Sequence, residues 1–99
     1  MRRLILALLL LRSASPATSA HSVSLAWQPG IYAKSVNLRI WRQKNKNAFA
    51  QIKQLGNATT SWTDTNVVAG SSYSYYVIAC DMNTTDCSAA SNIVSATVR

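Results

Sequence analysis

Ser61-Trp62-Thr63-Asp64-Thr65-Asn66-Val67-Val68-Ala69-Gly70-Ser71-Ser72-Tyr73-Ser74-Tyr75-Tyr76-Val77-Ile78-Ala79 contains a short alternating strand, a turn at Gly70 and a second strand beginning at Tyr73. Side chains alternate across a sheet, so Tyr73, Tyr75, Val77 and Ala79 share one face of that second strand. A Gly three residues before a Tyr at a strand start suits a tyrosine corner. There the ring packs inward and the hydroxyl bonds to nearby backbone.

The same alternation recurs on both sides. Val23, Leu25 and Trp27 alternate with Ser22, Ser24 and Ala26, which assigns Trp27 to the core, until Gln28-Pro29-Gly30 breaks the strand. Val36, Leu38, Ile40 and Arg42 share a face opposite Asn37, Arg39, Trp41 and Gln43. Lys44 to Asn47 reads as a turn, Phe49 to Ile52 as a short strand, Leu55 to Ala58 as a turn and Thr59 to Thr63 as a strand. Tyr73 to Cys80 and Asn92 to Val98 complete the set. Six short strands between turn signals, with no helical periodicity after residue 20, predict an all-β antiparallel sandwich.

The front of the chain follows a different grammar. Met1-Arg2-Arg3 is a basic head, Leu4 to Leu11 is an apolar run of eight, and small residues fill Ser13 to Ala20. Those three parts in that order are the pattern of an export signal peptide over residues 1–20. The run is far short of the ~20 residues that span a bilayer as a helix. Cleavage is expected after Ala20, with Ala17 the alternative. A buried N-terminal helix or an uncleaved anchor are the competing readings, and Arg12 after the run is what sustains them.

Within 99 residues the chain has ten Lys and Arg and three acids, a net charge of +7. Without Arg2, Arg3 and Arg12 there remain seven cations against Asp64, Asp81 and Asp86, and the charge of residues 21–99 is about +4. That is too small and too scattered to imply nucleic acid. The clustering of Lys34, Arg39, Arg42, Lys44, Lys46 and Lys53 in the middle third is the more informative feature.

Cys80 and Cys87 flank Asp81 to Asp86, which reads as a hairpin loop, and export would place the pair in an oxidising compartment. A disulfide across the hairpin mouth is the expectation. A metal or redox pair is disfavoured by the six-residue gap and the lack of a nearby His. Asp81-x-Asn83 with Asp86 faintly resembles a calcium loop, but the Gly and Glu such a loop needs are absent. Catalysis has little to work with. His21 is the single His, there is no Glu, and no Gly-x-Ser-x-Gly elbow accompanies the many hydroxyls. The chain is therefore expected to be a non-enzyme without cofactor or metal.

Taken in order, these segments resemble a fibronectin type III domain over residues 21–98. Val23 to Trp27 corresponds to strand B with its Trp, and Leu38-Arg39-Ile40-Trp41-Arg42 to the strand C pattern. Phe49 to Ile52 corresponds to C′, and Thr60-Ser61-Trp62-Thr63-Asp64 to strand E. Gly70 to Ala79 matches the turn and strand F, and Ser91 to Thr97 strand G. The form carried by secreted bacterial proteins and polysaccharide-degrading enzymes is the most similar. Two departures stand out: the Cys pair is not a general feature of the family, and the strand A positions are occupied by the leader-like segment. Cleavage after Ala20 would leave six strands and an unpaired edge on strand B, inviting strand-edge association of an otherwise monomeric domain. Retention of residues 14–20 would supply a minimal strand A and make seven.

The resemblance implies a secreted, extracellular or periplasmic module that contacts a protein or polysaccharide, with no membrane span after leader removal. A spacer without a ligand is the alternative. The expected contact face is the outward side of strands C and F, where Arg39, Trp41, Tyr76 and Ile78 point out. Aromatic and Arg side chains are what binding hot spots use. The simpler reading of the same residues is a Trp41–Tyr76 cross-strand pair whose rings merely cover each other.

Overall fold

A computed structural model describes residues 11–16, 21–28 and 35–98. Seven strands form two antiparallel sheets: β1 (Leu11–Pro16), β2 (Val23–Trp27), β3 (Val36–Lys44), β4 (Ala50–Gly56), β5 (Ser61–Asp64), β6 (Ser72–Asp81) and β7 (Val94–Thr97). One sheet has the order β1-β2-β5 and the other β4-β3-β6-β7. Among the described residues no helix is long and apolar enough to cross a membrane.

The core lies between the sheets, built from alternate residues of the strands. Val23, Leu25 and Trp27 of β2 face Val36, Leu38 and Ile40 of β3 and Tyr73, Tyr75, Val77 and Ala79 of β6, with Ala96 and Val98 closing one side. Each belongs to the inward set that the alternation predicts. Trp27 is buried and its indole N–H donates to the Thr59 carbonyl at 2.8 Å, which satisfies the one polar atom of the ring.

Strand A is present. β1 pairs with β2 from Leu11↔Trp27 to Pro16↔Val23, with an irregularity between Leu11 and Ser13. β2 is thus flanked on both sides, by β1 and by β5, and in the full chain its edge is not open. The physical reason is backbone pairing. β2 has a row of N–H and C=O groups on the side away from β5, and the segment just before it in sequence is the nearest strand able to meet them. Pro16, which lacks an N–H, is tolerated at the end of an edge strand. The strand begins three residues before the 14–20 segment expected to form a minimal strand A. It also falls inside residues 1–20, the expected leader; residues 1–10 and 17–20, with both expected cleavage positions, lie outside the described residues.

β4 runs further than the sequence pattern predicts. Leu55 and Gly56, expected in a turn, pair with Leu38 and Asn37, and the turn moves to Asn57–Ala58. The register slips between Ile40 and Trp41, where Lys53 and Gln51 are the partners and Ile52 is the extra residue. Such a bulge re-aims a side chain, and here Ile52 packs against the core. The β3–β4 connection turns on Asn45, whose φ of 54° is left-handed. Asn is among the few non-glycine residues that visit this region readily. Its backbone N–H donates to the Ser72 carbonyl at 2.7 Å, and its Oδ1 accepts from the Ser72 N–H at 3.0 Å.

β7 is shorter than expected because residues 88–93 do not follow strand geometry. Ser88 N–H donates to the Ala79 carbonyl, and the Ser88 hydroxyl accepts from the Ala79 N–H at 3.0 Å. Ser91 does the same with Val77, its hydroxyl accepting at 2.9 Å. Two side chains stand in for the carbonyls of a missing strand, so β6 stays satisfied along its length.

Candidate functional site

Among the described residues three side-chain constellations bear on function, and the third faces outward from a sheet. The first is the corner at the start of β6. Gly70 has a φ of 89°, where a Cβ would be strained. Its turn carries Val68 to where its N–H donates to the Tyr73 hydroxyl at 2.9 Å. The Tyr73 ring is buried, and the Arg42 guanidinium lies 5.3 Å from its centroid. Tyr73 and Trp27 are thus both core residues held by one backbone bond.

The second constellation was not foreseen. Asp64, the last residue of β5, is 2% exposed. Its Oδ2 accepts from Arg42 Nη1 at 2.9 Å and from the Tyr75 hydroxyl at 2.8 Å. Its Oδ1 accepts from the Asn66 N–H at 3.1 Å, and Arg42 Nη1 also donates to the Asn66 carbonyl at 2.9 Å. Burial, then the hydrogen bond to the Asp64 carboxylate, pushes the Tyr75 hydroxyl's pKa up from its ordinary value, while Arg42 opposes the rise. Arg42 therefore belongs to the inner face and not beside the exposed cations. The signal was available: a guanidinium on the same strand face as Ile40 needs a buried acid. A recess of about 150 Å³ lies here, lined by Arg42, Ile52, Trp62, Asp64, Thr65 and Asn66. Its two charges neutralise each other, which leaves little to attract a polar ligand.

The third constellation is the outer face of the four-stranded sheet. The β3–β6 register sets Trp41 opposite Tyr76 and Arg39 opposite Ile78, so all four residues expected on the contact face share it. All four are half-buried. The Trp41 and Tyr76 rings are near parallel, 6° apart in plane with centroids 6.0 Å apart. Phe49, expected within a strand, instead precedes β4 and tilts against Tyr76 at 4.8 Å and 51°. The rings thus partly cover one another, as the simpler reading holds. Arg39 Nε donates to Asn37 Oδ1 at 3.0 Å. Two donors on this face have no partner, Asn37 Nδ2 and Trp41 Nε1. Both atoms are buried beneath the face, and an orphaned buried donor costs about 1–3 kcal/mol.

Cys80 and Cys87 form the disulfide, with Cα atoms 4.0 Å apart. Beyond it, the Asp81 N–H donates to the Asp86 carbonyl at 2.9 Å and closes the hairpin. Asp81 is buried, its Oδ1 accepting from the Ser35 hydroxyl at 2.7 Å and the Asn83 N–H at 2.9 Å. That carboxylate organises the loop instead of standing free in it. No group of three or more His, Cys, Asp or Glu among the described residues is arranged to hold a metal ion.

No protein-family model matches the sequence, and no curated protein matches it. Solved structures do. A β-1,2-glucanase from Parabacteroides distasonis superposes with a TM-score of 0.76 at 22% identity, over 95% of this chain and 13% of that one. A fibronectin type III-like protein from Clostridium thermocellum superposes at 0.65 and 23% identity, over 90% of this chain and 88% of the other. A pectate lyase from Erwinia chrysanthemi, solved in complex with tetragalacturonic acid, superposes at 0.63 and 20% identity, over 94% of this chain and 27% of that one. The two enzymes are thus several times longer than this chain, which spans a small part of each. Two sheets in this strand order, a tyrosine corner at the start of β6 and these superpositions agree: the chain has the fibronectin type III fold.

Proposed function

We propose that the protein is an exported, non-catalytic module whose outer sheet face contacts an extracellular protein or polysaccharide. The observation that carries this reading is the half-buried cluster of Trp41, Tyr76 and Phe49 beside Arg39. Large aromatics and Arg are the side chains on which contact energy concentrates, and flat rings also suit the faces of sugars. The disulfide fits an oxidising compartment, in keeping with the leader-like residues 1–20. Two of the structures sharing the fold are polysaccharide-degrading enzymes in which this module occupies a minor part, and this supports an accessory role over a catalytic one.

A glycan and matrix-protein binding screen on the purified protein tests the reading. Trp41→Ala should abolish the binding found while leaving a folded protein. Trp27→Ala should cost the ~3–5 kcal/mol of a buried aromatic truncation, most of what so small a domain holds. If Trp41→Ala is as destabilising in urea as Trp27→Ala, the outer cluster is structural and the contact face is wrong. The alternative, a spacer domain with no ligand, is favoured by the mutual cover of Trp41 and Tyr76. It predicts that no probe binds and that Trp41→Ala changes stability alone.

A further inference from the structure

The charges of this molecule are sorted by surface. Asp64 is buried against Arg42, and Asp81 is buried and holds the β6–β7 hairpin. Asp86 sits in that hairpin, half-buried. No acid therefore lies on the outer face of the β4-β3-β6-β7 sheet. The cations are not matched in the same way. Arg42–Asp64 is the one salt bridge among the described residues. Arg39 stands on the face, and Lys44 and Lys46 lie on the stretch of chain that carries Phe49 to Tyr76.

Arg39 reaches down to Asn37 through Nε alone, and its two terminal nitrogens are the fork that grips a carboxylate. A face with aromatic rings, a guanidinium and no carboxylate complements a ligand that is anionic and built of flat apolar-faced rings.

We infer that the outer face binds a polysaccharide of uronic acid residues, its carboxylates taken by Arg39 and its sugar rings laid over the Trp41–Tyr76–Phe49 cluster. This deepens the proposed contact role and rests on it. A nucleic acid fits less well, because regularly spaced phosphates call for a stripe of cations along their path. Here one guanidinium sits on the face and two lysines lie towards one end.

Calorimetric titration of the full chain with polygalacturonate, and with its methyl ester in which the carboxylates are neutralised, tests the inference. The acid form should bind, and should weaken as ionic strength rises from about 0.05 to about 0.5 M. The ester should bind at least roughly tenfold more weakly. Arg39→Gln should weaken the acid form by a similar factor without affecting the ester, whereas Arg39→Lys, which keeps the charge, should lose less; thermal melts establish that both variants fold. Equal binding of acid and ester, indifference to Arg39→Gln, or equal competition by dextran sulfate or single-stranded DNA would overturn the inference. If the ester binds as tightly as the acid and Trp41→Ala abolishes both, the contact face stands and only its preference for anions falls. If neither polymer binds, the uronate assignment is wrong, and the broader screen alone decides the contact role.

Discussion

The Tyr75 hydroxyl and the Arg42 guanidinium meet on one oxygen of Asp64, at 2.8 and 2.9 Å. Burial disfavours the phenolate, and ionising that phenol would also set a second negative charge against the carboxylate it bonds, so its pKa is raised. An unfolded chain releases the proton near pH 10, and the folded one only above that. The contribution is therefore fully present below about pH 10 and is lost as pH rises beyond it. Urea denaturation between about pH 9 and 11 should show wild-type stability falling faster than that of Tyr75→Phe, by up to ~1.4 kcal/mol per pH unit. Identical slopes would mean that this proton is not linked to folding. The network as a whole was not legible residue by residue, since Arg42, Asp64 and Tyr75 lie on three different strands. What alternation did reveal was the face on which Arg42 and Tyr75 sit, because that depends only on local period.

At the scale of elements, β2, β3 and β6 were readable from their own side chains, each with an apolar face that only one sheet orientation can bury. β1 was not. Leu11-Arg12-Ser13-Ala14-Ser15-Pro16 has no β-branched or aromatic residue to announce a strand, and its pairing is supplied by the free side of β2. The irregular stretch after the hairpin was equally hidden, since hydroxyls of Ser88 and Ser91 replace carbonyls there. The outer face is an intermediate case: its four residues were legible from the register of two strands, but Phe49 was not, because its place against Tyr76 depends on the turn at Asn45. The Cys80–Cys87 bridge acts on this scale too. A ring closed over a sequence separation of seven constrains the unfolded chain by roughly 2–3 kcal/mol. Reduction should lower the melting temperature, followed by circular dichroism, yet leave the protein folded at 25 °C. Two free thiols in protein recovered from an oxidising compartment would contradict the bridge.

For the whole molecule, the sandwich is completed by a strand drawn from the segment that also reads as a leader. A protein lacking residues 1–20 should have a lower melting temperature than the full chain and should scatter light increasingly with concentration, as exposed strand edges associate. Restoring a strand through a generic seven-residue extension should reverse both effects. If the shortened protein is as stable as the full chain and stays monomeric, β1 contributes nothing to the domain. The β1–β2 pairing also has a consequence in time. Neighbouring strands of an antiparallel pair form early, because little chain has to be closed between them, and the N-terminal end is the first to be made. A peptidase that trimmed the leader-like segment would need that backbone extended and unpaired. Folding and trimming would then compete for one stretch of chain, and whichever acted first would determine the other. The N-terminal mass of the folded protein records the outcome.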